Sequence, residues 1–502
     1  MIISEKARSE TTPTIVVVSN RGPYEFREEG ADVTYSRGGG GLAGALVPAM
    51  ESYGGLWVAT AMTEGDRHVF SNRSRIAVDS GTGKAFEIEY MVFDRNLYRR
   101  YYDVVSTSVL WFALHGIFDV TRRPILDRRF DEAWEKSYVY VNHAFAGACD
   151  RFLMSKGVEA SVAVLVQDYH LFLVPRLLDK RELNHRVIFF LHTAFPGPDL
   201  LGALSAPRVR EILEGMLHAD LIGFHAMRWA RNFVSACKQF LGADVIAEEY
   251  HIGSSPEYFL IYHRDKRAGV GVFPLGPEPS SLLVQAESPE VRAYEERLRV
   301  TDNDFVVVSV ERVDPAKNSL RSLRAIDEIL EVVPELRGRL KYFLFVYPSR
   351  ERLIEYKAFE AECASLAKAV NLKWRSGDWE PVVFEVSDSY PRSLAALKCY
   401  DALFVNSLAD GMNLVAREGP LVNQRDGMLV VSTNTGAAEL YGDLAFQVNP
   451  FDISEQAAAI EEVWRMSPEA RRDRASKIAA VARSHTPKSW LDAQLEAAFS
   501  MP

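Results

Sequence analysis

Residues 305–317 read Phe305-Val306-Val307-Val308-Ser309-Val310-Glu311-Arg312-Val313-Asp314-Pro315-Ala316-Lys317. The β-branched run that opens this stretch suits a strand buried on both faces, as a parallel sheet covered by helices requires. Charge and proline then end the strand, and the apolar spacing over 320–332 predicts a helix. The same order recurs along the chain. Runs at 14–19, 162–166, 186–191, 221–224, 342–346, 402–406 and 428–432 read as strands, and 207–218 and 227–241 as helices. Strand and helix in alternation predict an α/β architecture with doubly wound sheets. Pro and Gly concentrate at Phe273-Pro274-Leu275-Gly276-Pro277-Glu278-Pro279, with a set of strands on either side. Two domains are therefore expected, over 1–275 and 276–485, facing a cleft. Thr486-Pro487 pairs a capping hydroxyl with Pro at the first helical position, so 486–502 is expected to form a last helix that returns to the first domain. Shorter polar runs over 58–99 read as an antiparallel hairpin insertion.

Composition narrows the function classes. The 502 residues are 48% apolar and 25% charged, ordinary for a globular protein. No apolar run approaches the ~20 residues that span a bilayer, so no membrane partner is expected. The net charge of −10 argues against a general nucleic-acid binder, whose affinity comes from clustered cations. It leaves room for a small anion held by a few placed arginines. Cys149, Cys237, Cys363 and Cys399 are scattered and read as packed, reduced thiols, neither a zinc site nor a disulfide framework. Residues 1–13 lack the apolar core of a signal peptide, and the expected location is cytoplasmic.

Ligands of open α/β sheets bind beyond the carboxyl ends of the strands, so the residues following each strand come first. Ser19-Asn20-Arg21 ends the first strand, and the glycines of 38–41 precede an apolar helix, where backbone N–H groups can meet a phosphate or sugar. Without a ligand contact, that run is only a flexible loop. Asp168 and His192 follow neighbouring strands and can reach one cleft, as sugar-hydroxyl acceptor and donor, or serve as a cap and a core histidine. Arg312 and Lys317 leave a buried strand beside a helix start and can form a diphosphate site, or pair with Asp314 at the surface. Arg350 repeats the theme after Tyr347-Pro348. In Asp410-Gly411-Met412-Asn413-Leu414-Val415-Ala416-Arg417-Glu418, backbone amides at a helix start precede a carboxylate able to accept both hydroxyls of a ribose.

At that string the chain resembles the trehalose-6-phosphate synthase family, retaining nucleotide-sugar glycosyltransferases with the two-domain GT-B fold. The resemblance runs from about Ile15 to the C-terminus and includes Ser19-Asn20-Arg21, Gly40-Gly41-Leu42, Gly55-Leu56-Trp57, Tyr101-Tyr102, Val109-Leu110-Trp111, Asp168-Tyr169-His170, Phe190-Leu191-His192, Val310-Glu311-Arg312 and Val448-Asn449-Pro450. It implies that Arg21, Tyr102, Trp111 and Arg350 hold the acceptor glucose 6-phosphate, with Asp168 between acceptor and donor. It further implies that Gly41 and His192 contact the donor, with His192 near the transferred glucose. Arg312 and Lys317 would neutralise the leaving diphosphate. Asp410, Met412, Asn413, Leu414 and Val415 would address the donor glucose and phosphates, and Glu418 the ribose. Asp168, His192, Arg312 and Lys317 form the implied catalytic set. No Asp-x-Asp pair stands in the cleft segments, and neither a metal nor another cofactor is expected.

Some positions depart from the family pattern. Asn318 follows Lys317, Tyr347-Pro348 replaces Pro-Thr, and Ala409 stands before Asp410 where Arg is typical. With Arg228-Trp229-Ala230-Arg231-Asn232-Phe233 and Pro420-Leu421-Val422-Asn423, the string Asp314-Pro315-Ala316-Lys317-Asn318 resembles a pseudo-glycosyltransferase branch that joins a cyclitol nucleotide to an aminocyclitol phosphate. Tyr102, Trp111, Arg350 and Met412 keep the synthase pattern, which is favoured. Lys317-Asn318 and Tyr347-Pro348-Ser349-Arg350 also resemble synthases of which some prefer GDP-glucose, so the donor base, open among UDP-, GDP- and ADP-glucose, leans to GDP. Self-association is also open. A silent regulatory subunit is the rival of another class, opposed by the complete set of Arg312, Lys317, Asp410 and Glu418. A dinucleotide-binding dehydrogenase would use Gly39, Gly41 and Gly44, but leaves the second half of the chain unexplained.

Overall fold

The computed structural model describes residues 13–29, 32–38, 41–79, 81, 83–157, 160–178, 184–248 and 258–501. They form two large sheets. In the first, seven parallel strands run in the order Lys266–Val272, Leu221–Phe224, His185–Phe190, Val162–Gln167, Thr14–Arg21, Gly55–Thr60 and Phe86–Met91. Antiparallel strands extend both edges. The second sheet is parallel throughout, in the order Val382–Val386, Leu340–Tyr347, Phe305–Arg312, Ala402–Val405, Met428–Ser432 and Phe446–Val448.

The β-branched runs lie where their pattern predicts. In Thr14–Arg21, Ile15 and Val17 enter one apolar layer and Val16 and Val18 the other, and all four are fully buried. That two-sided burial is why the run is continuous rather than alternating. The hairpin expected over 58–99 is corrected. Gly55–Thr60 and Phe86–Met91 are parallel strands of the main sheet, and only Ile76–Val78 pairs antiparallel, on the outer edge. Glu87 and Glu89 obscured this strand, where the buried Glu89 is tolerated because Arg75 and Arg151 pair with it at 2.9 and 2.7 Å.

In each sheet the chain winds outward from a central strand in both directions. The strand order reverses between Thr14–Arg21 and Val162–Gln167 in the first sheet, and between Phe305–Arg312 and Ala402–Val405 in the second. Crevices open at such reversals. Arg21 and Asp168 stand at the first, Arg312 and the 410–418 string at the second.

The helix Pro487–Ser500 begins on a Thr486 cap that accepts from the Ser489 amide. It buries Trp490, Leu491 and Leu495 in the same apolar layer as Ile15 and Val17. The two passages of the chain between the sheets meet closely. A side chain at Gly276 would place its Cβ 2.1 Å from the carbonyl oxygen of His485. Among the described residues, no helix is long and apolar enough to cross a membrane.

Candidate active site

Asp168 follows the strand Val162–Gln167 with φ 73° and ψ 168°, a conformation nearly confined to glycine. Its amide donates to the Phe190 carbonyl at 2.8 Å, and the His192 amide donates to its Oδ1 at 3.3 Å. These bonds hold a strained turn that aims the carboxylate into the crevice. Burial pushes this carboxyl up to about 6, against the pull of the Tyr169 and His192 amides and of Arg312 and Arg350. His192 does not have a free ring. Its Nε2 lies 2.9 Å from Gln167 Oε1 and its Nδ1 lies 3.3 Å from His225 Nε2, so a sugar hydroxyl must replace one of them. Burial keeps the imidazole neutral, its pKa well below the ordinary histidine value.

The aromatic wall comes from a wide helical stretch, Arg100–Trp111, hydrogen-bonded as a π-helix. Tyr102 stacks on His170 with ring centroids 5.6 Å apart, and Trp111 packs 5.7 Å from Tyr169. Both walls therefore face the turn that follows Asp168. Arg21 is exposed at its strand end beside Tyr98, which stacks on Tyr102. Gly41 opens the helix Gly41–Tyr53, while Gly39 and Gly40 lie outside the described residues.

From the second sheet, Arg312 and Arg350 approach the same indole. Their guanidinium carbons stand 5.4 and 4.1 Å from the Trp111 ring centroid. Lys317 sits on the tight turn after Phe305–Arg312 and donates to Asp410 Oδ2 at 2.5 Å. Asp410 also accepts from Ser407 and Asn413. Burial opposes its ionisation, but Lys317, His115 and Asn413 together hold it below the usual carboxylate range. The surface pairing of Arg312 or Lys317 with Asp314 is not what forms. Asp314 is fully buried and pairs with Arg350 at 2.9 Å.

Gly411 lies against the first sheet's residues. Its Cβ would stand 1.9 Å from the His192 carbonyl oxygen, and its own carbonyl accepts from Trp229 Nε1 at 3.2 Å. Met412 is buried, Asn413 takes φ 70°, and Leu414 packs on the apolar layer of the first sheet. Val415 begins the helix Val415–Val422. Glu418 lies one turn in, apart from the arginine cluster and near Tyr347 and Tyr390, with burial pushing its carboxyl up to about 7. Asp314, Tyr169, Tyr356 and Gln167 join the site without having been given a role in it from sequence. The Asp314 side chain beside Lys317 was in view, but its burial was not.

A family model described as glycosyltransferase family 20 matches residues 13–499. The UDP-forming alpha,alpha-trehalose-phosphate synthase 2 of Aspergillus niger is 31% identical over 501 residues, covering 96% of each chain. The UDP-forming alpha,alpha-trehalose-phosphate synthase A of Dictyostelium discoideum is 27% identical over 95% of this chain, which spans 61% of that relative's length. Among solved structures, the E. coli trehalose-6-phosphate protein bound with UDP-2-fluoro glucose superposes with a TM-score of 0.81 at 25% identity, over 97% of this chain and 99% of that one.

Proposed function

We propose a function from one premise: this chain belongs to glycosyltransferase family 20, the trehalose-6-phosphate synthase family. It transfers glucose from a nucleotide-glucose donor to glucose 6-phosphate, with retention, and forms trehalose 6-phosphate. The observation that carries this reading is the pair of guanidinium groups, Arg312 and Arg350, gathered at one indole beside the Asp168 carboxylate. Two phosphorylated substrates need two cation sites.

In this reading Arg350 and Arg21 grip the acceptor phosphate, and Tyr102 and Trp111 wall its sugar. Asp168 orients the hydroxyls between acceptor and donor. Arg312 and Lys317 neutralise the leaving diphosphate. Gly41, His192 and residues 410–415 address the donor glucose and phosphates, and Glu418 the ribose. The acceptor hydroxyl oxygen bonds to the anomeric carbon on the face from which the β-phosphate oxygen leaves. The hydroxyl proton passes to that departing oxygen, and the charge growing on the diphosphate is met by Arg312 and Lys317, more strongly in the transition state than before it. Residues 1–275 form the acceptor-binding domain in this proposal, 276–485 the donor-binding domain, and 486–502 the returning helix. A cytoplasmic location accords with the four cysteines, all free thiols.

The names of the relatives support uridine as the donor base, whereas the strings at 317–318 and 347–350 favour guanosine. A panel of UDP-, GDP- and ADP-glucose with glucose 6-phosphate, reading nucleoside diphosphate release, decides the base. Release with none of them, but with a cyclitol nucleotide and an aminocyclitol phosphate, overturns the proposal.

A further inference from the structure

The Asp314 carboxylate joins both halves of the site. Oδ1 accepts from Trp111 Nε1 at 3.3 Å and from the Ala316 amide at 3.0 Å. Oδ2 accepts from Arg350 Nη1 at 2.9 Å and from the Tyr356 hydroxyl at 3.3 Å. One oxygen thus fixes the indole and the turn that carries Lys317, and the other fixes the arginine. Arg350 is held from three directions. Its Nη1 also donates to Tyr356 at 2.5 Å, its Nη2 donates to Tyr169 at 3.2 Å, and its plane lies over Trp111. Its buried Nε has no partner among the described residues. A guanidinium has five N–H donors, so these contacts leave an edge that includes Nε for a phosphate.

We infer that Asp314 is a positioning residue that sets Arg350 for the acceptor phosphate. This rests on the reading of Arg350 given above. The carboxylate itself lies close to an incoming dianion and, as a bare charge, repels it. Its value to binding lies in orientation: a buried guanidinium without its counter-ion turns toward another partner. Charge alone and orientation therefore predict opposite signs when Asp314 loses its charge.

Asp314→Asn tests this. The amide oxygen still accepts from Ala316 and Trp111, while the amide nitrogen now meets donors of Arg350 and Tyr356. The expected result is a rise of about tenfold or more in the KM for glucose 6-phosphate, with the donor KM changed less than about twofold. Tyr356→Phe removes a second contact to the same guanidinium and keeps the ring, so it should raise the same KM by about two- to fivefold. It carries the test if Asp314→Asn fails to fold, which circular dichroism and melting curves report. An unchanged or lowered acceptor KM, or equal rises for both substrates, overturns the inference alone. A wild type that neither turns over nor, by calorimetry, binds glucose 6-phosphate overturns the functional reading and this inference together.

Discussion

The proposed mechanism places much of the rate on one side chain, Arg312. In that mechanism Arg312→Ala removes a donor to developing charge, a loss that typically costs ~2.7–4 kcal/mol, so turnover should fall about a hundredfold or more. An unchanged kcat in stopped assays places the diphosphate clamp elsewhere. Glu418 gives a pH signature. Burial raises its carboxyl to about 7, and only the ionised form accepts from both hydroxyls of a ribose. The donor KM should therefore fall as pH rises from about 6 to 8, and Glu418→Gln should flatten that profile. Linkage has the opposite sign for the free enzyme. A raised carboxyl favours the fold below its unfolded value, and that contribution is lost as pH climbs through about 7. Charge states of this kind are invisible in sequence. The residue types at 312, 317, 410 and 418 pointed to anion and ribose chemistry, but Asp314 looked like a surface partner until its burial was known.

Elements place these residues, and one of them follows an unexpected winding. Tyr102 and Trp111 are nine positions apart, half a turn out of phase at 3.6 residues per turn. The π-helix of Arg100–Trp111 closes i→i+5 bonds, at roughly 4.4 residues per turn, and returns both side chains to one face. That face meets Tyr169 and His170. No periodicity in 100–111 announces this winding, whereas two-sided burial made Phe305–Arg312 plain. The string at 410–418 makes its own demand. Gly411 touches the His192 carbonyl across the two sheets, and Gly436 touches Gly411, with a Cβ there 2.1 Å from its carbonyl oxygen. Gly411→Ala cannot seat the string without moving backbone. Turnover should drop about a hundredfold while the melting temperature shifts by only a few degrees, because the contact joins the sheets and lies outside either core. A variant with normal kinetics shows that the two sheets do not meet at Gly411 during turnover.

The whole molecule is held together by contacts between distant residues. Glu439 lies at the N-terminus of the helix Met227–Leu241, where the Met227 and Arg228 amides donate to its carboxylate at 2.6 and 3.2 Å. Arg228 also donates to the Thr433 carbonyl, and Trp229 to Gly411. The 228–233 string, which resembled another branch of the family, thus supplies the face on which the second sheet's residues dock. An anion at a helix N-terminus contributes about 0.3–1 kcal/mol, more when partly buried. Glu439→Ala should loosen closure, seen as a larger radius of gyration in solution scattering and a donor KM raised about three- to tenfold. A compact variant with unaltered kinetics excludes this contact as a clasp. At this scale the division of information is plain. Strand runs, proline–glycine punctuation and strand-end cations are local properties of the chain, and they determined the α/β fold, the two sheets and most of the site's residue types. Partner choice is not local. Asp314 meets Trp111 across 203 positions and Glu439 meets Met227 across 212, because sheet order and closure bring them together. Burial then decides which acids stay charged and which arginine is held ready, since desolvation and pairing act only on groups that the folded chain has already enclosed.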